Sequence, residues 1–409
     1  MSVASIPVPS CGLIGRRGLG SPLSLVILTV AILFARRPDQ FLWPQMWVED
    51  GFHTLRNFLE GGARILVQPL NGYLITATKL ISYVAFVTSV RFAPEIETAL
   101  VVAFTCTVTV AIAFAPTHLR WPFLCALAAL LAPTGAEVFA VSAYAFWWAG
   151  FLLLLALLWD TERGRRGLRV AFIIIGGLSS PLIISLAPLF AARAALTRRR
   201  DDVIAVGLVA LTAAVQAYAM STQRAGEVVG GTLDPWAAWA GVTKFIGGFV
   251  RFDALGPFML VALALVVWSL RARLDRYFYL LAGAYALICA SVVLRIPLDW
   301  FMRMGATGEG VRYFYYPFVL LMWLLLWLAS EAGALMRTAI IAVLALGILL
   351  GVPYMQWRHD AVDWRAQLDA CAHGERSDLT IQYLGTPADA WHAKFTAEQC
   401  RALMAKGPF

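Results

Sequence analysis

The chain has 409 residues, 60% apolar and 14% charged, with a net charge of +8 and a mean hydropathy of +0.72. A soluble domain is nearer half apolar and a quarter charged, so the composition excludes one and describes an integral membrane protein of many spans. In such a chain basic residues chiefly set orientation, so the positive balance is no sign of nucleic-acid binding. Six scattered cysteines with no CxxC and no Cys/His cluster argue against a structural zinc site.

Residues 1–21 are rich in Pro, Gly and Ser and place Arg16-Arg17 before the apolar run 23–35. No small-residue cleavage site follows that run, so it reads as an uncleaved first span with a cytoplasmic N-terminus. A Trp-rich interfacial segment and the first external loop, 36–93, come next. On the logic of about 20 residues per crossing, further spans are expected at 96–115, 122–132, 143–159, 203–220, 257–270, 277–294, 314–329 and 338–354, nine in all with the first.

The short loops 161–169, 193–202 and 271–276 are Arg-rich and should be cytoplasmic. Parity then requires 65–89, interrupted by Gln68, Asn71, Lys79 and Ser82, to lie in the external interface without crossing. By the same parity 170–192 enters and leaves on the cytoplasmic side, as a broken hairpin turning near Ser179-Ser180-Pro181. Such a break is tolerated where protein or a cavity surrounds it. The external segments are 36–93, 134–144, 221–256, 295–312 and 356–409. Residues 235–250, with Trp236, Trp239, Phe245 and Phe249, read as a second interfacial helix.

The expected architecture is thus an all-α polytopic membrane protein: a transmembrane module over 1–355 and a small periplasmic domain over 356–409. That tail is too short for a large core of its own. It holds a strand candidate at 379–384 and, on the oxidising side, a predicted Cys371–Cys400 disulfide. No internal repeat is visible, which weighs against transporter folds built from repeats.

The first loop carries Trp47-Val48-Glu49-Asp50-Gly51, then His53, then Pro69-Leu70-Asn71-Gly72-Tyr73. Here the chain resembles the GT-C superfamily, membrane glycosyltransferases that use polyprenyl-phosphate-linked sugars. The resemblance rests on a carboxylate motif after span one, a Pro-x-x-Gly-Tyr helix in the interface, Glu137 in the loop after span three, a broken helical pair in mid-chain and a small external domain at the end. The bacterial branch it most resembles includes transferases that add sugars, arabinofuranose among them, to surface proteins such as type IV pilins or to glycans. The Trp-Trp-Asp triplet of oligosaccharyltransferases is missing, so transfer en bloc to asparagine is not implied.

The reaction implied is displacement of polyprenyl phosphate from a sugar C1 by an acceptor hydroxyl. It needs a general base and cations for the leaving phosphate. Asp50 is the expected base, with Glu49 as its partner or a metal ligand; adjacent helical residues point about 100° apart, so the two cannot face one site on a helix. The structural alternative is that both cap the helix starting near Gly51. Glu137 would bind the acceptor or cap the segment after it. Arg303 and Arg312 flank the Gly-rich loop 305–310 and suit a lipid phosphate. Lys244 and Arg251 are second choices, Lys79 a weaker one, and Tyr73 would line the site. Glu49, Asp50 and His53 form a set that a divalent metal would accept. The partners implied are a polyprenyl-phosphate sugar, a periplasmic acceptor protein or glycan, and membrane lipids, in a bacterial inner membrane. The rival readings are a flippase for lipid-linked sugars and a non-enzymatic partner of an envelope machine.

Overall fold

A computed structural model describes residues 20–222, 234–383 and 390–405; the Arg16-Arg17 and Gly385-Thr386-Pro387 motifs and Leu384, the end of the expected strand, lie outside them. The chain is mostly helical. In order come α1 (Pro22–Arg36), α2 (Pro38–Leu42), α3 (Leu55–Gly61), α4 (Thr76–Thr88), α5 (Ala93–Phe114), α6 (Pro122–Leu131), α7 (Ala145–Leu157), α8 (Arg166–Ser179) and α9 (Leu182–Thr197). Then follow α10 (Arg200–Thr222), α11 (Pro235–Phe245), α12 (Gly256–Leu270), α13 (Arg276–Arg295), α14 (Leu298–Arg303), α15 (Arg312–Glu331) and α16 (Ala334–Gly351). The tail adds α17 (Trp364–His373), strands β1 (Asp378–Ile381) and β2 (Trp391–Lys394), and α18 (Ala397–Ala405).

Among the described residues six helices are long and apolar enough to cross a membrane: α5, α10, α12 with the turn before it, α13, α15, and α16 with the turn after it. This defines a multi-pass helical membrane protein and corrects the expected nine spans. The other three runs form α1, α6 and α7, of 15, 10 and 13 residues, or about 15–23 Å at 1.5 Å per residue. An apolar run counts residues, whereas a crossing needs helical length. Pro122 opens α6 and Pro133 follows its end.

A helix apolar on every side belongs in a core or a membrane. Helix α7 is buried along its length except at the partly exposed Phe146, and α15 is buried from Phe314 to Ala329. Their aromatic rings interlock through Trp148, Phe151, Tyr315 and Trp323. Helices α12 and α16 instead leave Phe258, Val261, Leu265 and Leu349 without protein cover.

Helices α8 and α9 are separated only by Ser180-Pro181. Arg169, early in α8, and Arg193, late in α9, both bond Asp202 at 2.8 Å. The pair therefore leaves and returns at one level, as a hairpin. At its turn, Ser179 Oγ accepts from the Ala77 amide (3.0 Å) and Leu178 O accepts from Thr76 Oγ1 (2.9 Å), so the tip seats the start of α4. With 13 residues α4 is too short to cross. The Pro69–Tyr73 stretch expected as a helix is a tight turn: Asn71 and Gly72 take φ of 49° and 81°, and Leu70 pairs with Tyr73 through two backbone bonds. Positive φ at both central residues is what an Asn-Gly turn supplies. In the second interfacial segment Trp236 and Trp239 point outward while Phe245 and Phe249 are buried.

The tail shares one core with the first loop and α4, in which Leu55, Phe58 and Phe86 pack with Trp364, Leu368 and Ile381. Strand β1 pairs antiparallel with β2, and Cys371–Cys400 is a disulfide. Asp363 caps α17 through the Ala366 amide at 3.0 Å. The docking is also made by backbone: Val48 N donates to Gln382 O (2.8 Å) and Gln382 N to Met46 O (3.0 Å). A Cβ added at Gly51 would lie 2.5 Å from Ile381 Cδ1. Gly51→Ala should therefore loosen the docked tail at a cost of about 1–3 kcal/mol, read as faster limited proteolysis between 356 and 409; an unchanged cleavage rate counts against this packing.

Candidate functional site

The first loop presents its two acidic residues in opposite directions. Val48 is held at φ 32°, an outlier for a β-branched residue, by its backbone bond to Gln382. A π-helical turn, Asp50–Thr54, follows; such turns often occur at functional sites. Neither carboxylate caps this turn, so the capping alternative does not hold. Asp50 points inward and is fully buried. Glu49 is half-exposed, and its Oε1 accepts from Asn71 Nδ2 at 3.1 Å. In this conformation Glu49 is open to solvent and Asp50, the residue expected to be the base, is not.

Asp50 Oδ2 lies 2.6 Å from Ser142 Oγ, which lies 2.8 Å from Glu97 Oε2. Lys79 is wholly buried beside them, its ammonium without a hydrogen-bond partner among the described residues. Lys79 and Ser82 are three residues apart on α4 and so share a face. The Ser82 hydroxyl acts on both carboxyls without meeting hydrogen-bond geometry to either. Burial, then the nearby Glu97 charge, hold the Asp50 carboxyl well above the usual range. Burial lowers Lys79 to about 8 against the pull of Asp50. Two ionised carboxylates about 5 Å apart would repel by about 3 kcal/mol at an effective dielectric near 20.

Sequence reasoning missed Glu97 and Ser142. The signal for Glu97 was an ionisable residue inside an apolar span, a functional marker in itself. Ser142 carried none, since a loop serine is ordinary.

The same short 3-10 turn, Ser142–Tyr144, serves a second cluster. Tyr144 OH donates to Glu137 Oε1 at 2.7 Å, the Arg312 guanidinium bonds that same oxygen, and the Arg312 amide donates to Glu137 Oε2 at 3.2 Å. Glu137 thus caps α15, not the segment that follows it. Glu137 and Arg312, expected as acceptor ligand and phosphate cation, are paired with each other here.

The remaining expected cations are dispersed. Arg303 is exposed and 3.8 Å from Asp299. Lys244 donates to Met304 O (3.0 Å) and pairs with Asp253 (3.2 Å). Arg251 donates to Pro133 O (3.0 Å) and covers Tyr354. Tyr73 meets a cation that sequence reasoning missed: Arg295 stands 4.6 Å from its ring centre and has no carboxylate partner among the described residues. His53 lies outward, near Phe52 and Trp391, and burial lowers its pKa. It does not converge with Glu49 and Asp50. Among the described residues no three His, Cys, Asp or Glu are grouped to hold a metal.

An apolar cavity of about 440 Å³ lies between α11, α12, α13 and α15, lined by Val242, Phe245, Leu263, Tyr285, Val293 and Leu324 among others. Arg295 comes two residues after Val293, at the end of α13. The Asn71-Gly72 turn joins Tyr73, under Arg295, to Asn71, the partner of Glu49. Comparison with protein-family models, with curated proteins and with solved structures found no match to this chain.

Two outcomes follow from this geometry. Asp50 is raised in the folded state, so its stabilising share is complete below the ordinary carboxyl pKa and is lost as pH rises through the raised value. The thermal midpoint of Asp50→Asn relative to the parent should therefore climb from pH 5 to pH 8; a flat difference would contradict the burial argument. Arg312→Met leaves the Glu137 carboxylate buried with its cation gone and should cost about 3 kcal/mol. Adding Glu137→Gln should return part of that loss in a double-mutant cycle of detergent-solubilised protein.

Proposed function

We propose that this protein is a membrane glycosyltransferase that moves a monosaccharide from a polyprenyl-phosphate donor to a hydroxyl acceptor, at the outer face of a bacterial inner membrane. One juxtaposition carries the reading: an accessible carboxylate, Glu49, and Arg295, a cation with no carboxylate partner among the described residues, are joined through the Asn71–Tyr73 turn; an apolar cavity lies along α13, the helix that ends in Arg295. In this reading the cavity takes the polyprenyl tail and Arg295 meets the phosphate as a charge-assisted partner. The acceptor oxygen attacks C1, the bond from C1 to the phosphate oxygen breaks, and the acceptor proton passes to the first-loop carboxylate. Glu49 is the member of the pair that an acceptor reaches, with Asp50 behind it. The tail roofs the loop, and its disulfide supports an oxidising, periplasmic location. Arabinofuranose is one sugar of the class this donor would carry, and the acceptor is a surface protein or glycan.

A second reading, a flippase for lipid-linked sugars, draws on the buried Asp50, Glu97 and Lys79, since buried charged residues in membrane proteins often mark transport pathways. The two separate in a complementation assay of Glu49→Gln and Arg295→Met in the native host, with the mass of surface glycans and pilin-like proteins as readout. Loss of one sugar mass from the acceptor, with lipid-linked sugar accumulating on the outer leaflet and the variant normally expressed, supports transfer. Full glycan in both variants rejects it, and lipid-linked sugar retained on the inner leaflet moves the flippase ahead.

A further inference from the structure

We propose that Asp50 and Glu97 share one proton across the Ser142 hydroxyl and form a proton-binding site whose counter-charge is Lys79. The inference is independent of the transfer reaction and would hold for a transporter as well.

The argument begins with the hydroxyl's inventory: one proton to donate and two lone pairs. Ser142 Oγ is 2.6 Å from one carboxyl oxygen and 2.8 Å from the other. It can donate to only one of them. The second contact is attractive only if that carboxyl carries a proton and donates to Oγ. Two ionised groups would leave a serine lone pair facing a carboxylate at contact distance.

The charge count leads to the same state. Lys79 is fully buried and its ammonium has no hydrogen-bond partner among the described residues. A buried charge is tolerated when it is balanced. One proton on the pair leaves a single negative charge opposite a single positive one. No proton would leave a net negative site, and two would leave Lys79 unbalanced. The charged groups that act with Asp50, besides Glu97 itself, are Lys79 from α4 and Glu49 from the loop; Glu97 meets the Ser82 and Ser142 hydroxyls. Ser82 adds a hydroxyl, and the tail meets Gly51 with the apolar Ile381. Asp50 Oδ1 and Glu97 Oε1 are both buried with no hydrogen-bond partner among the described residues; in this proposal they are the positions through which the proton enters and leaves.

Infrared spectroscopy of the full chain in lipid tests this directly, because the carbonyl stretch of a protonated carboxyl is seen however deeply it is buried. Near neutral pH the parent should show one such band, shifted by deuterium. Glu97→Gln and Asp50→Asn should each abolish it, since the remaining carboxyl pairs with Lys79 and ionises. Lys79→Met should raise its intensity about twofold, as both carboxyls then stay neutral. Ser142→Ala should shift its frequency, and this variant carries the test if a carboxyl variant does not fold. Absence of the band in the folded parent overturns the proposal, as does a band that persists unchanged through these substitutions.

Discussion

The contact between Gly51 and Ile381 is the constraint on which the rest of the site depends. Only a residue without a Cβ lets the tail approach this closely. The approach allows Gln382 to pair with Met46 and Val48, and that pairing holds Val48 in a backbone region it would otherwise avoid. The strained turn sends Glu49 outward and Asp50 inward. The tail is thus part of the site, and its disulfide-linked core continues into the first loop.

Two buried acid clusters hang on the single turn Ser142–Tyr144, and they are built for different ends. At Glu137 the carboxylate is matched by Arg312, by the Arg312 amide and by Tyr144. It is satisfied, and its effect is to tie the loop after α6 to the start of α15. At Asp50 the polar atoms outnumber their partners among the described residues. An unsatisfied buried group is costly, and such sites persist where titration or binding completes them. The same contrast separates Arg312, neutralised within the fold, from Arg295, which among the described residues meets a tyrosine ring and no carboxylate.

Much of this architecture could be read from the chain. The break before Pro181 and a strand in the tail follow from local composition, and two cysteines in a short tail suggested their pairing. Span counting failed at α1, α6 and α7, because hydropathy registers a run of apolar residues without registering where the helix begins and ends: Pro122 and Pro133 bracket α6, and a 3-10 turn takes the residues just before α7. The turn at Asn71-Gly72 was read as helix, although Asn-Gly is a strong turn signal.

By itself the sequence determined that this is a helical membrane protein, since hydropathy and residue type are local properties. Tertiary structure alone decided which residues meet. Ser142 reaches Asp50 over 92 residues, Glu97 over 45, and Arg312 reaches Glu137 over 175. No local pattern encodes such pairings. They arise because α4, α5, α7 and α15 pack side by side and bring distant turns together at one end, where burial makes each polar atom find a partner or remain reactive.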